Sequence, residues 1–251
     1  MADEQMNSER TAWWAKFVLI GGVLAALLLV LAPIGYRLGV LGVPAAVLML
    51  PGMGAALGVL VLLFALAGIV ITLRRGLIRE RVPLVLGGVL ALVVVANMGA
   101  WFLRANSVPP IHDISTDPVD PPRFVAVVEL RGAHSNPLDY DAEALASVTR
   151  DAYPFVQPIH SSLSPSAAFA RAVSVVEDFG WETVAVDPSA GHIEATATTR
   201  LYGFKDDVVI RIEPDGSGSR IDLRSVSRVG QSDLGANAGR IGAFIVAFGE
   251  D

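Results

Sequence analysis

The stretch RSVSRVGQSDLGANAGRI, residues 224–241, gathers the polar side chains in a chain that is otherwise rich in Ala, Val, Leu and Ile. Its Arg, Ser, Asp and Asn side chains can bind anions or polar ligands. On a strand, successive side chains alternate between faces, so Ser225 and Ser227 point to one side and Arg224 and Arg228 to the other. The stretch therefore predicts either a binding or catalytic site or the polar joint between a strand and a helix.

The helix predicted after this strand begins beside the Arg side chains. A helix N-terminus presents unpaired N–H groups and partial positive charge, which attract anions. We expect Ser232 to cap this helix, while Asp233 in its first turn would occupy the same N–H groups. Asn237 and Arg240 lie one and two turns further on, where their side chains can reach back to residues before the domain. A polar-ligand site at this joint is thus one hypothesis.

Several catalytic and metal motifs are excluded. Residues 113–117, DISTD, begin like a calcium loop, but the Gly and Glu required later in that loop are missing. The four histidines lack ligand spacing, there is no cysteine, and neither a phosphate-binding glycine loop nor a G-x-S-x-G elbow is present. We predict no metal and no cofactor. A hydrolase that uses Ser225 or Ser227 with His112 or His160 stays open.

Charge divides the chain into two parts. Residues 1–104 contain eight Lys and Arg and four Asp and Glu, whereas residues 105–251 contain eleven and twenty-one, so the net charges are +4 and −10. An acidic domain repels nucleic acid, which we exclude as a partner.

The first part contains three predicted membrane spans of about 20 apolar residues each, at 13–33, 52–73 and 82–103. Residues 38–50 are predicted to be interfacial or re-entrant, and a second crossing by residues 38–73 stays open. Glycines suit close packing of the helices: Gly54, Gly58, Gly87 and Gly88. Asn97 in the third span is expected to form a hydrogen bond between helices, and the spans are predicted to be an anchor.

Orientation follows from Lys and Arg in short loops. Residues 74–81, RRGLIRER, carry four Arg and are predicted to face the cytoplasm. The amino terminus, with Arg10 and Lys16, then faces the cytoplasm as well. Three spans place the second part of the chain outside the cytoplasm.

A Pro-rich strap is predicted at 105–124, followed by a soluble α+β domain at 125–251. The element order β-α-β-β-β-β-α indicates an antiparallel sheet with its helices on one face, as in helix-grip and TATA-binding-protein-like folds. On the free face, Arg224 and Arg228 join charges of the neighbouring strands in a lattice that we expect to be solvated. Asp113, Asp117 and Asp120 of the strap are expected to pair with Arg224, Arg228 or Arg240.

Three segments, IHDISTDPVDPPRF, GFKDDVVIRI and SRIDLRSVSRVGQSDLGANAGRI, resemble the family called domain of unknown function 1499 over residues 109–248. The resemblance implies a membrane-linked or secreted bacterial domain with relatives in plastids and no established activity. It singles out the matched polar positions: Asp113, Thr116, Asp117, Asp206, Asp207, Asp222, Arg224, Ser225, Ser227, Arg228, Asp233, Asn237 and Arg240.

Together these features predict a multi-pass protein of the bacterial cytoplasmic (inner) membrane with a periplasmic soluble domain. Its expected role is non-enzymatic binding or scaffolding in the envelope, with the bilayer and an envelope protein or small polar ligand as partners. Two alternatives are a hydrolase using the Ser, Arg and Asp cluster and a helix-grip binder of an apolar ligand such as a lipid.

Overall fold

A computed structural model describes residues 12–249. The chain forms two compact units that divide between Arg104 and Ala105. Arg10, which supports the predicted orientation, lies outside the described residues.

The first unit contains three helices that are long and apolar enough to cross a membrane. They are α1 (Trp13–Arg37), α2 (Leu50–Arg75) and α3 (Ile78–Ser107). A π-helical segment, Ala45–Met49, runs directly into α2, so the second helix begins earlier than the predicted residue 52. This segment comes just before Pro51, whose missing N–H donor interrupts a regular hydrogen-bond ladder.

Small residues set the helix packing of this unit. A Cβ atom on Gly22 or Gly87 would overlap the backbone of the opposite helix, so α1 and α3 touch at these two glycines. This confirms the role predicted for Gly87. The prediction for Asn97 is wrong within the chain, because its side chain is exposed and makes no hydrogen bond with residues 12–249.

The second unit is an open antiparallel sheet with helices on one face. Its elements are β1 (Asp113–Ser115), a 3-10 turn (Val127–Leu130), α4 (Ala142–Ala152), β2 (Ile159–Ser161), α5 (Pro165–Asp178), β3 (Glu182–Asp187), β4 (His192–Thr198), β5 (Lys205–Asp215), β6 (Gly218–Ser227) and α6 (Ala236–Gly249). The strand order is β1-β6-β5-β4-β3, and β2 also pairs with β6. The predicted α+β class is confirmed. The sequence also predicts a helix near Asp141 to Arg150, which is α4, whereas β1 was not predicted.

Alternation along the strands builds the core on the helix-covered face. β5 contributes Val208 and Ile210, and β6 contributes Ile221 and Leu223, each at a spacing of two. From the helices, α5 contributes Phe169 and Val176 and α6 contributes Ile241 and Phe244. Ser164 caps α5 by accepting a hydrogen bond from the Ala167 N–H, as its position before Pro165 predicts.

The second face of the sheet is covered by residues 116–140, which we call the covering segment. Its backbone and side chains bond to Glu194, Asp207, Asp222 and Arg224 of the sheet. These four charged residues are 0–2% exposed. The prediction of a free, solvated salt-bridge face is therefore wrong, because the irregular chain after β1 folds over the charges and removes them from water.

Candidate functional site

The polar residues selected from the sequence divide between the two faces of the sheet. Ser225, Ser227, Asn237, Arg240 and Asp206 form the helix-face cluster, next to the start of α6. Seven further candidates lie on the covered face and form what we call the charge lattice: Asp113, Thr116, Asp117, Asp207, Asp222, Arg224 and Arg228. The structure therefore contains two buried polar groups where the sequence suggested one site.

Asn237 is the centre of the helix-face cluster. Its amide oxygen accepts a hydrogen bond from Ser225 Oγ at 2.7 Å. Its Nδ2 donates to Ser227 Oγ at 3.0 Å and to the His112 carbonyl oxygen at 2.9 Å. Asn237 is 0% exposed, so one amide joins α6, β6 and the segment before β1. This confirms that Asn237 reaches back to the segment that precedes the domain.

Arg240 completes the cluster by linking it to β5. Its guanidinium donates to Ser225 Oγ at 3.0 Å, to the Asn237 amide oxygen, and to Asp206 Oδ2 at 2.6 Å. The Arg240 and Asp206 side chains are 12% and 4% exposed. Nη2 therefore makes one charge-assisted hydrogen bond to Asp206, while Nη1 is occupied by Ser225 and Asn237.

Asp233 occupies the N-terminus of α6. Its carboxylate accepts hydrogen bonds from the Gly235 N–H at 2.7 Å and the Asn237 N–H at 2.8 Å. Burial raises the pKa of Asp233, although these two N–H donors oppose the shift. The helix begins at Ala236, so the expectation that Ser232 caps it is wrong. An external anion would have to displace the carboxylate that the chain already supplies.

Neither serine has the surroundings of an activated nucleophile. Ser225 is 0% exposed and Ser227 is 5% exposed. Within residues 12–249, their hydroxyl groups bond to Asn237 and Arg240 and to no histidine ring. A serine nucleophile needs an adjacent base and access to substrate, and this geometry provides neither.

In the charge lattice, Arg224 is held on every side. Its Nε and Nη2 donate to the two carboxylate oxygens of Asp113 at 2.9 and 2.7 Å, and Nη2 also donates to the Leu138 carbonyl oxygen at 2.6 Å. The guanidinium lies between the rings of Phe124 and Tyr140, with its carbon 5.3 and 5.2 Å from their centroids. Burial raises the pKa of Tyr140 to about 12. The predicted pair of Asp113 with Arg224 is confirmed.

Asp207 connects two strands to the covering segment. Its carboxylate accepts from Arg131 at 2.5 Å, from Arg228 at 2.8 and 3.0 Å, and from the Thr196 hydroxyl at 2.8 Å. The Asp207 side chain is 0% exposed. Burial lowers the pKa of Arg131, while the bond to Asp207 opposes this shift. Arg228 therefore pairs with the neighbouring strand, and its expected pairing with the strap is wrong.

The strap acids pair with β5 and with the start of β6. Asp117 binds Arg220 at 2.7 Å and Arg211 at 3.3 Å, and both arginines also bind Asp222. Burial alone would raise the pKa of Asp117, but backbone N–H donors and the two arginines lower it below its usual value. Asp120 also pairs with Arg211, at 2.8 Å. These partners differ from the predicted ones because β1 pairs with residues 224–226, which directs the following chain toward residues 220 and 211.

Glu194 is an important polar residue that sequence reasoning did not select. Its carboxylate accepts hydrogen bonds from three successive backbone N–H groups, at 2.6 Å from residue 125, 3.0 Å from residue 126 and 2.8 Å from residue 127, and contacts His192 Nε2 at 2.8 Å. Burial alone would raise the pKa of Glu194, but the hydrogen bonds from His192 and the three backbone N–H groups stabilise the carboxylate and lower the pKa below its usual value. One signal existed: a Glu within the small and apolar residues of IEATA.

A cleft of about 570 Å³ opens in the covering segment. Its lining combines apolar and aromatic side chains with two arginines and two aspartates, and consists of Val119, Asp120, Pro121, Arg123, Phe124, Val128, Leu138, Asp139, Tyr140 and Arg224. A second cleft, of about 200 Å³, lies beside β1 and α4 and is lined in part by Ser115, Thr116 and Thr149. Among residues 12–249, no group of three or more His, Asp or Glu side chains is placed to hold a metal ion.

Residues 113–248 match the family described as Protein of unknown function (DUF1499). A search of characterised proteins found no match to the chain. The matched region includes β1, all of the later strands and nearly all of α6, and it contains both polar groups. The resemblance seen in the sequence is thereby confirmed, and this chain belongs to the DUF1499 family.

Proposed function

We propose that this chain is a membrane-anchored binding or scaffolding protein of the bacterial envelope and that it catalyses no reaction. The three apolar helices hold it in the cytoplasmic (inner) membrane, with the soluble domain on the periplasmic side. The observation that carries the proposal is the burial of the candidate groups, which are bound to one another. Such groups stabilise a surface for a partner, either an envelope protein or a small polar ligand.

The hydrolase alternative is tested with a fluorophosphonate probe, which labels activated serines. We expect no labelling of the purified full-length protein, because Ser225 and Ser227 are buried and bonded to an amide. Labelling that disappears in Ser225→Ala or Ser227→Ala but persists in Ser166→Ala, a change at an exposed serine, would establish a hydrolase and remove the proposal.

The filled helix–sheet interface favours scaffolding over an apolar-ligand pocket. Twenty buried apolar residues pack in the core between the sheet and its helices. The cleft of about 570 Å³ is instead formed by the covering segment and Arg224. Its volume is in the range of about 300–1,000 Å³ that is usual for small-molecule sites.

This cleft is the proposed place of binding. Aromatic side chains and Arg are enriched where proteins bind partners, and Phe124, Tyr140 and the exposed Arg123 all line the cleft. Exposed apolar side chains extend the surface, with Val119 92% and Val128 49% exposed.

A photo-crosslinking side chain at residue 128, introduced in living cells, tests this surface. We expect one defined adduct that is absent when the same side chain replaces Val186, an equally exposed residue of β3 (45% exposed). Adducts of equal yield at both positions, or at neither, would contradict binding at the cleft.

The orientation is tested by reporter fusions. Alkaline phosphatase is active only outside the cytoplasm, so a fusion after Asp251 is expected to be active and a fusion after Gly76, in the predicted cytoplasmic loop, inactive. Activity in the reverse pattern would place the soluble domain in the cytoplasm and would overturn the envelope role.

A further inference from the structure

Asn97 is a polar side chain on the outside of an apolar helix. It lies in α3, is exposed, and makes no hydrogen bond with residues 12–249. A helix rises about 1.5 Å per residue, so Asn97 lies about 7 Å along the helix axis from the middle of the apolar run 82–103. It therefore lies within a hydrocarbon layer about 30 Å thick. Hydrocarbon supplies no hydrogen-bond partner, so the amide requires one from another helix.

The surface around Asn97 differs from the surface that α3 uses inside the chain. The internal surface consists of Leu84, Gly87, Ala91 and Val94, all buried. The open surface follows a seven-residue spacing and consists of Leu86, Val93, Ala96, Asn97 and Ala100, all exposed. A seven-residue apolar repeat is typical of helices that pair along their length. Because Ala96 and Ala100 are small, another helix can approach closely beside the amide.

We propose that α3 pairs with α3 of a second copy of this chain and that the two Asn97 amides hydrogen-bond to each other. Two copies inserted with the same topology have parallel α3 helices, so identical residues lie at the same depth. An amide both donates and accepts, which makes Asn97 complementary to itself across a two-fold axis. No charged residue occurs between residues 82 and 103, so nothing on this surface repels an identical copy.

The pairing rests on the membrane placement of α3 in the proposed function and is independent of what the soluble cleft binds. The chain contains no cysteine, so a single introduced cysteine reports proximity without background. The experiment uses the full-length Ala100→Cys variant in native membranes, treated with an oxidant and separated without reductant. We expect a covalent dimer. The matched control is Leu24→Cys on α1, where the side chain is 49% exposed, and it should remain monomeric.

The role of the amide is measured in the Ala100→Cys background. Asn97→Leu should weaken dimerisation by about 3- to 30-fold, which corresponds to about 0.6–2 kcal/mol for a hydrogen bond between membrane helices. Asn97→Gln should retain most of it. Because Asn97 makes no hydrogen bond with residues 12–249, Asn97→Leu should leave the fold of these residues intact.

Equal cross-linking at both cysteine positions, an unchanged dimer in Asn97→Leu, or a cross-link to a different protein would each overturn the proposal. The reporter fusions separate this failure from a failure of the proposed function, because an active phosphatase fusion after Asp251 together with a monomeric Ala100→Cys variant refutes the pairing alone.

Discussion

Replacing Asp207 by Asn tests whether the charge lattice holds the covering segment on the sheet. Asp207 is 0% exposed and is shared by Arg131 at 2.5 Å and Arg228 at 2.8 Å. Asn keeps nearly the same shape and can still accept from the Thr196 hydroxyl, which is 2.8 Å away. The substitution therefore removes the charge and little of the packing, and two guanidinium groups are left together without their shared counter-ion.

The structure sets the size of the effect. The Arg131 and Arg228 side chains are 5% and 13% exposed, so water screens them poorly. Removing one partner from a buried ion pair costs about 3–5 kcal/mol, because the remaining charge stays buried and unpaired. At about 2–4 °C per kcal/mol for a domain of this size, the Tm should fall by about 6–20 °C. A double variant with Arg131→Met should recover part of this loss, since the two changes are coupled.

The assay is urea unfolding of the full-length protein in detergent, with the folded fraction of the soluble domain read by pulse proteolysis. The matched control is Glu182→Gln, because the Glu182 side chain is 66% exposed and contacts Lys205 at 3.5 Å. Its change should stay within about 0.5 kcal/mol, as for most exposed pairs. A loss below about 1 kcal/mol for Asp207→Asn would refute the reasoning, since the lattice would then contribute no more than a surface pair.

Further changes test other parts of the domain. Phe244→Ala, at a core position that is 0% exposed, should lower the free energy of unfolding by about 3–5 kcal/mol. Val246→Ala on the same helix, where the side chain is 61% exposed, should change that free energy by less than about 0.5 kcal/mol. Similar free-energy changes for the two variants in denaturant titrations would contradict the packing described. Asn237→Ala leaves the buried Ser225 hydroxyl without its acceptor and should lower the free energy of unfolding by about 1–3 kcal/mol. An unchanged urea midpoint would show that the helix-face cluster contributes little to stability. The pKa of Glu194 is lowered from 4.5, so its stabilisation is complete above about pH 4.5 and is lost as the pH falls through the lower folded-state value. The free energy of unfolding, measured between pH 3 and 7, should show this loss in the wild type and a smaller loss in Glu194→Gln. Parallel pH curves for the two proteins would argue against a stabilising role of the Glu194 carboxylate.

The covering segment shows why charge is used where regular structure is absent. Except for one 3-10 turn, Val127–Leu130, residues 116–140 form no helix or strand that could pair their backbone groups. Buried N–H groups must still find acceptors. The Glu194 carboxylate accepts hydrogen bonds from three of these N–H groups, and Arg224 donates to the carbonyl oxygen of Leu138. Polar side chains of the sheet thus replace the hydrogen bonds that a regular element would make for itself.

The family-matched region contains buried polar side chains that join separate elements of the domain. Asp113, Asp207, Arg224 and Asn237 all lie in the matched region and all bond across different elements of the chain. Such residues specify one arrangement of the covering segment, because any shift would leave a charge unpaired.

Residue patterns along the chain determined the elements. Long apolar runs predicted three helices in the first part, since a span requires about 20 such residues. Period-two alternation in DVVIRIE and RIDLR predicted β5 and β6, and Ser164 with Pro165 predicted the start of α5. β1 was missed because it is only three residues long and is flanked by prolines, so its pairing with β6 leaves no periodic signal.

Tertiary structure decided the partners. The sequence could place Arg228 and Arg224 on the same face of a strand, but the choice between Asp207 and the strap acids for Arg228 depended on which strand lay beside it. It could not show that residues 116–140 cover the charged face, because an irregular segment has no periodicity that predicts its path. Local pattern follows from the geometry of one helix or strand, whereas burial and ion pairing arise between residues that are distant in the chain, such as Asp113 and Arg224, and only the folded arrangement brings these together.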